Sequence, residues 1–294
     1  MRRSAFRLLF HSHMLVFQLS AAACVTPADT ALERLTESRR LAADLLVQLT
    51  KDADAANRAV MADTDDAATA GAREAGQAAA TIEKDMQALR PALQQLGYTA
   101  EGQRLDEFAR RFMEYQSLDR NILDLAVENT NLKAQRISFG PASQASDAYR
   151  DALKALTPSS PAETWHVEAL VATAVASIEA IQVLQAPHIA EADDAAMTGM
   201  EKRMADAEAA ARKALQSLAP VVAATARPHL AEATTVLDRF MKLNAELVAL
   251  SRRNSDVRSL ALSLGQKRML TAACEESLQA LQDALAKRGL GGTR

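Results

Sequence analysis

The sequence predicts an all-α protein built as two tandem antiparallel up-down four-helix bundles with long alanine-rich helices. Three observations carry this reading. Alanine fills 63 of the 294 positions, aromatics are 4%, and there are only 10 Gly and 8 Pro. Alanine is the strongest helix former, whereas strands favour aromatic and β-branched side chains, so the composition points to long packed helices. Apolar residues also recur at three-and-four spacing along most of the chain. Finally, residues 104–156 align on residues 229–281 without a gap. Leu105 matches Leu230, Tyr115 matches Phe240, Asn129 matches Asn254, Gly140 matches Gly265 and Leu153 matches Leu278. Upstream, Asp65-Asp66-Ala67-Ala68 and Gly71 reappear as Asp193-Asp194-Ala195-Ala196 and Gly199. The two copies span roughly residues 29–157 and 161–288. Their joint is Thr157-Pro158-Ser159-Ser160-Pro161, where two prolines stop one helix and open the next.

Each copy reads as four helices. In the first copy, Leu32, Leu35, Ala42, Leu45, Leu49, Ala56 and Val60 form the apolar stripe of helix one. Asp63-Thr64-Asp65-Asp66 then offers short side-chain oxygens to the free N–H groups of a new helix. A second stripe runs through Ile82, Met86, Leu89, Leu93 and Leu96, and Gly97 suits the left-handed residue that ends it. The third runs through Leu105, Phe108, Phe112, Tyr115, Ile122 and Leu125. Two places compete for the last turn. Ser138-Phe139-Gly140-Pro141 would leave a fourth helix too short to cover the bundle. Asn129-Thr130-Asn131 gives helices of matching length, with Asn129 in a left-handed C-terminal position and Asn131 as N-cap. Asn254-Ser255-Asp256 repeats this chemistry in the second copy. The Asn turn is therefore expected to reverse the chain, with Gly140-Pro141 kinking the fourth helix.

The first 24 residues read as an export signal. Arg2, Arg3 and Arg7 precede a short, broken apolar run that ends in Leu19-Ser20-Ala21-Ala22-Ala23-Cys24. A basic start, an apolar run and small residues before a cut describe a secretory signal peptide. The ending is also similar to a bacterial lipobox, which would make Cys24 the lipidated N-terminus and the membrane anchor. Ordinary cleavage at the same bond is the alternative. Either way the expected location is the periplasm; a cytoplasmic helical protein is the third option and requires residues 1–24 to be ordered as a helix rather than removed. No later stretch has 18 uncharged apolar residues, so no further membrane span is expected.

With the helices placed, the pattern resembles the periplasmic four-helix-bundle sensor domain of methyl-accepting chemotaxis receptors. The resemblance rests on Asn57-Arg58-Ala59-Val60-Met61-Ala62-Asp63 at the first helix junction. It rests also on Leu125-Ala126-Val127-Glu128-Asn129-Thr130-Asn131-Leu132-Lys133-Ala134 at the third. Two bundles in one chain are similar to the helical bimodular sensor domains of some receptors. That resemblance implies a small organic-acid ligand, and it leaves room for a homodimer. The family continues into a second membrane helix, a HAMP linker and a cytoplasmic signalling coiled coil, whereas this sequence ends at Gly291-Gly292-Thr293-Arg294. It is therefore expected to act through a separate membrane receptor or kinase partner.

Charge and motifs exclude several function classes. Lys and Arg number 34 against 37 Asp and Glu, which leaves no electrostatic footprint for nucleic acid. Two cysteines exclude a disulfide scaffold, a Cys-ligated zinc module and a haem attachment site. His166, His188 and His229 lack ligand spacing, and no nucleophile elbow, phosphate loop or dinucleotide fingerprint is present. No catalytic residue, metal or cofactor is expected. Candidate ligand-binding residues are arginines, because a guanidinium fork matches a carboxylate. Arg252, Arg253 and Arg258 cluster around the second Asn turn; in copy one Arg58, Arg110, Arg111, Arg120 and Arg136 could serve the same role, with Arg58 and Arg111 the leading pair. For Arg111 the competing reading is a stem that covers the Phe108/Tyr115 stripe with its head in water. Cys274 reads as a small buried residue, Met197-Met200-Met204 as core, and Trp165 as packing between the copies. The expected activity is a non-enzymatic sensor-like module. The alternative is a structural or scaffolding envelope lipoprotein that holds a partner protein and binds no small ligand.

Overall fold

The computed structural model describes residues 27–156 and 164–288. Cys24, the signal segment and the Pro158–Pro161 joint lie outside the described residues. The described chain is all-α. Helices α1 (Pro27–Val60), α2 (Asp65–Gln95) and α3 (Thr99–Glu128) are followed by α4 (Thr130–Ile137), a π-helical turn (Ser138–Ala142) and α5 (Ser143–Lys154). The second copy repeats the order. It has α6 (Thr164–Ala190), α7 (Asp194–Leu218), α8 (Arg227–Arg253), α9 (Ser255–Leu262), a second π turn (Ser263–Lys267) and α10 (Arg268–Lys287).

Local chemistry sets most helix ends. Thr64 caps α2 by accepting from the Ala67 N–H at 3.2 Å, and Asp193 caps α7 by accepting from Ala196 at 2.7 Å. Gly97, at φ 70°, turns the chain out of α2. Asn129 and Asn254 take φ 49° and 53°, the left-handed position expected of them. Asn is one of the few side chains that visit this region at low cost.

Here the packing differs from the expected arrangement. The Asn residues do not fold each copy back into its own bundle. Each interrupts the helix for a single residue, and helix resumes at Thr130 and at Ser255. One core therefore joins α1, α2 and α3 with α10 from the other copy: Leu45, Leu49, Ile82, Leu89, Phe108 and Phe112 pack with Cys274, Leu278 and Leu281. The other core joins Tyr149, Leu153 and Leu156 with α6, α7 and α8 through Ile178, Ile181, Leu215, Leu237 and Phe240. The copies have exchanged their fourth helices. The packing units are thus residues 27–128 with 255–287, and residues 130–156 with 164–253. Asn131 is no N-cap; its side chain donates to the Ile189 carbonyl at 2.6 Å and to Asn254 Oδ1 at 2.8 Å. The physical reason is that one αL residue redirects a helix without supplying the connector that an antiparallel return needs.

Two rods result, α3–α4–α5 and α8–α9–α10, which run antiparallel and side by side. Glu101 meets Arg288, Arg111 meets Ala273, Asp119 meets Lys267 and Thr130 meets Ser255 in one ordered ladder. The alanine-rich seam has its clearest effect between α1 and α2. There Gly71 lies against the backbone of Ala55 and Ala59, with Ala56 and Ala75 beside it. Small residues let these two helices approach until their backbones touch. The kink expected at Gly140-Pro141 is a π turn, and Gly265 lies in the matching turn of the second copy. Trp165 does not pack between the copies; it is exposed and lies edge-on to His166.

Candidate functional site

The crossing of the rods is a buried polar junction. The Thr130 N–H donates to Ser255 Oγ at 3.0 Å, and the Ser255 N–H donates back to Thr130 Oγ1 at 3.1 Å. The Asp256 N–H donates to Asn131 Oδ1 and the Leu132 N–H to Asp256 Oδ2, both at 3.2 Å. On the rim, Arg253 Nε donates to Glu128 Oε2 at 2.6 Å. Thr130 and Ser255, Asn131 and Asp256, and Glu128 and Arg253 are repeat equivalents. Equivalent residues bind one another here, as at the two-fold axis of a symmetric dimer. Asn129 Nδ2 reaches Asp65 and Asn254 Nδ2 reaches the Glu191 carbonyl, so the α1–α2 and α6–α7 loops are tied to the same junction. Burial pushes the Asp256 carboxyl up, while the Ser255 hydroxyl and the Leu132 N–H oppose the shift.

The five candidate arginines are distributed over the molecule, and no two share a partner. Arg252 spends its whole fork internally, on Glu201 at 2.6 Å, Thr198 at 2.7 Å and Asp194 at 3.3 Å. Its guanidinium, with help from His188, holds the Glu201 carboxyl below the usual range. His188 is fully buried between Glu201 at 3.0 Å and Ser251 at 2.8 Å. Arg253 takes Glu128, and Arg58 pairs with Glu74 across α1 and α2. Arg111 lines a groove of about 360 Å³, and there it holds Glu107, Glu276 and the Ala273 carbonyl. Arg258 is exposed and makes no ion pair among the described residues. Arg110, Arg120 and Arg136 of copy one are engaged too, with Glu114, Gln116 and Asp65.

A different set of residues forms the most unusual chemistry. Asp52 of α1, Tyr115 and Asp119 of α3, and Lys267 of the second π turn meet inside the first bundle, each at most 4% exposed. Lys267 donates to Asp119 and lies 5.3 Å from the centre of the Tyr115 ring. Neither Asp52 oxygen nor the Tyr115 hydroxyl makes a hydrogen bond of normal geometry, although Tyr115 stands near enough to act on Asp52 as a donor. Burial drives the Asp52 carboxyl up to about 7, reinforced by Asp119 and opposed by Tyr115 and Lys267. Burial raises Asp119 as well, against the pull of the Lys267 ammonium. The Tyr115 hydroxyl is pushed far up for the same reason, with the two carboxylates adding to it. Outside this cluster lies a groove of about 460 Å³ between α1 and the α9–α10 rod. Lys267 forms part of its wall, with Asn57, Ser263, Val60, Met61 and Leu264, and the Ser263 hydroxyl donates to Asn57 Oδ1 at 3.1 Å.

Motif reading did not find this cluster, because Asp52 and Lys267 lie more than two hundred residues apart and join only through the exchanged helix. One signal was available: Asp52 falls on the apolar stripe of α1, at the spacing of Leu45, Leu49 and Ala56. Among the described residues no group of three His, Cys, Asp or Glu side chains is placed to hold a metal. Cys274 is buried and free, and burial lifts its thiol to about 12. Met197 and Met204 are core residues, with Met200 packed against the same core. Helix α6 is long and apolar enough to cross a membrane over Trp165–Ala190, with Glu168 and Glu179 as its only carboxylates and no Lys or Arg. In the bundle its inner face packs on α7 and α8. None of the family models, curated proteins or solved structures compared with the chain matches it.

Proposed function

We propose that the protein is a non-enzymatic, exported sensor-like module that binds a small organic ligand and acts through a separate membrane partner. The observation that carries this is the pair of rods shared by both bundles. Each rod contributes to both cores, so a change in helix spacing in one bundle bears on the other through packed elements that run on past the Asn residue. The groove beside Lys267 is the site this reading favours for the ligand. It has apolar walls from Val60, Met61 and Leu264, and Asn57, Ser263, Arg268 and Glu275 as polar groups to fix orientation, while the buried Lys267 ammonium is held by Asp119. The candidate arginines supply less, since four of the five already hold carboxylates of the chain itself. A lipid on Cys24 would keep the module at a membrane surface within reach of its partner.

The test is a thermal-shift screen of the chain from residue 24 onward, carrying Cys24→Ser, against organic acids, amino acids and aromatic acids. A ligand at a hundred times its Kd stabilises the folded state by about 2.7 kcal/mol. A saturable shift that disappears in Arg268→Gln and survives in Arg252→Gln supports the groove. A flat screen removes the sensor reading.

A scaffold is the second reading, and the outer face of α6 favours it. Ala169, Ala172, Ala176, Ala180 and Val183 are exposed along this helix, and only 33% of its apolar window is buried. So apolar a face is unusual for a surface helix. Cross-linking from Ala176→Cys and Val183→Cys would report whether a protein covers it.

A further inference from the structure

The two bundles share one architecture, so each shows what the other can do without. The buried stripe Leu45, Leu49, Asp52, Ala56 and Ala59 of α1 has the spacing of Ala174, Ile178, Ile181, Gln185 and His188 of α6. Asp52 therefore corresponds to Ile181. By the repeat alignment Tyr115 corresponds to Phe240, Asp119 to Asn244 and Lys267 to Ala142. In the second bundle Ala142, Ile181 and Phe240 form an ordinary apolar core, and Asn244 is satisfied by Gln185 at 3.0 Å. The fold thus needs no charge at these positions. Buried ion pairs are in any case often matched or surpassed in stability by apolar residues of similar volume.

Charge counting shows what the first bundle gains. Asp119 and Lys267 neutralise each other through their direct bond. Asp52 would add one negative charge to this core. From α3 it faces Tyr115 and Asp119, from the π turn Lys267, and Cys274 of α10 lies beside Tyr115. The core side of α2 carries only Ala75, Ala78 and Ile82 around this level. Two carboxylates against one ammonium leave one charge unmatched, and neither Asp52 oxygen makes a hydrogen bond of normal geometry. An isolated buried carboxylate resolves this by taking up a proton.

We propose that Asp52, Tyr115, Asp119 and Lys267 form a reversible single-proton site, with no counterpart at the equivalent positions of the second bundle, that makes the first bundle responsive to pH. With the proton on Asp52 the cluster is neutral and Lys267 belongs to Asp119. Without it, Asp52 competes with Asp119 for the one ammonium. Lys267 is the last residue of the second π turn and part of the groove wall, so that competition acts on the turn and on the groove together. This inference stands whether or not the groove binds a small molecule.

The experiment is chemical denaturation of the purified chain and of Asp52→Asn across pH 5 to 8. Asn copies the shape of the neutral acid. The folded carboxyl holds its proton up to about 7, against an ordinary value of 3.8, so the folded state alone keeps the proton between these limits. The folding equilibrium of the wild type then falls roughly fiftyfold relative to Asp52→Asn between pH 5 and 7, and the difference levels off by about pH 8. Parallel curves for the two proteins overturn the proposal. Should Asp52→Asn not fold, carboxyl-carbon NMR of the wild type decides: a titration near neutral supports the site, and one below pH 5 overturns it. Amide exchange at Ser263–Lys267, corrected for intrinsic rate, is expected to accelerate through the same transition, and unchanged protection there would overturn the coupling to the π turn.

Discussion

Replacing Gly71 with alanine probes the close backbone contact between α1 and α2, and Gly199 in the second copy is its built-in control. A Cβ at Gly71 would stand 2.9 Å from the Ala55 carbonyl oxygen and from the Ala59 nitrogen, and 3.0 Å from Ala59 Cα. These are backbone atoms, so no rotamer change relieves them. Ordinary contact begins near 3.4 Å, so α1 and α2 must separate by about 0.5 Å at this level. Overpacking of this kind costs about 1–3 kcal/mol, and the gain in helix propensity from Gly to Ala returns about 1 kcal/mol. A clash with backbone sits at the upper end of that cost, about 2–3 kcal/mol, so Gly71→Ala is expected to lose about 1–2 kcal/mol. At Gly199 an added Cβ meets nothing within 4 Å, so Gly199→Ala keeps only the propensity gain, about 0.5–1 kcal/mol of added stability. Urea denaturation followed by circular dichroism reads both, as a shift in midpoint at unchanged slope. Equal effects in the two variants, or a Gly71→Ala protein as stable as the wild type, would refute the close-approach argument.

Three further outcomes are expected. Thr130→Ala and Ser255→Ala each remove one half of a reciprocal buried pair, at about 1–2 kcal/mol apiece. The double variant should lose clearly less than the sum, which a double-mutant cycle would show. Lys267→Met alone leaves Asp119 uncompensated and should cost about 3–5 kcal/mol, whereas Lys267→Met with Asp119→Leu should recover most of the loss in denaturation experiments. Cys274, buried and with its thiol raised to about 12, should resist alkylation at pH 8 in the native state and react at once in denaturant, as mass spectrometry would report.

Much of the local structure was legible in advance. The Thr64 cap, the end of α2 at Gly97 and the left-handed Asn129 and Asn254 all follow from side-chain chemistry acting within a few residues. The burial of Phe108, Phe112 and Tyr115 was readable from their spacing. The π turns were readable only as a kink at Gly140-Pro141. The arginines illustrate the limit. Arg252 stood out as a free fork in the sequence, yet Glu201, Asp194 and Thr198 on another helix occupy it. No local rule foretells that a charge will be neutralised by a residue fifty positions away.

The sequence by itself determined that the chain is helical, that it is doubled and where its helices stop. These properties depend on propensity, periodicity and caps, which are short-range. Tertiary structure alone decided which helices share a core. Exchanged and unexchanged fourth helices would bury the same apolar stripes and differ in the path of the chain at Asn129 in the first copy and at Asn254 in the second. That choice is set by the junction where Thr130 and Ser255, and Asn131 and Asp256, bind one another across 125 residues of chain. The same choice brings Lys267 to Asp119 and beside Asp52. A charged site in the first bundle therefore exists only because a helix of the second copy completes it.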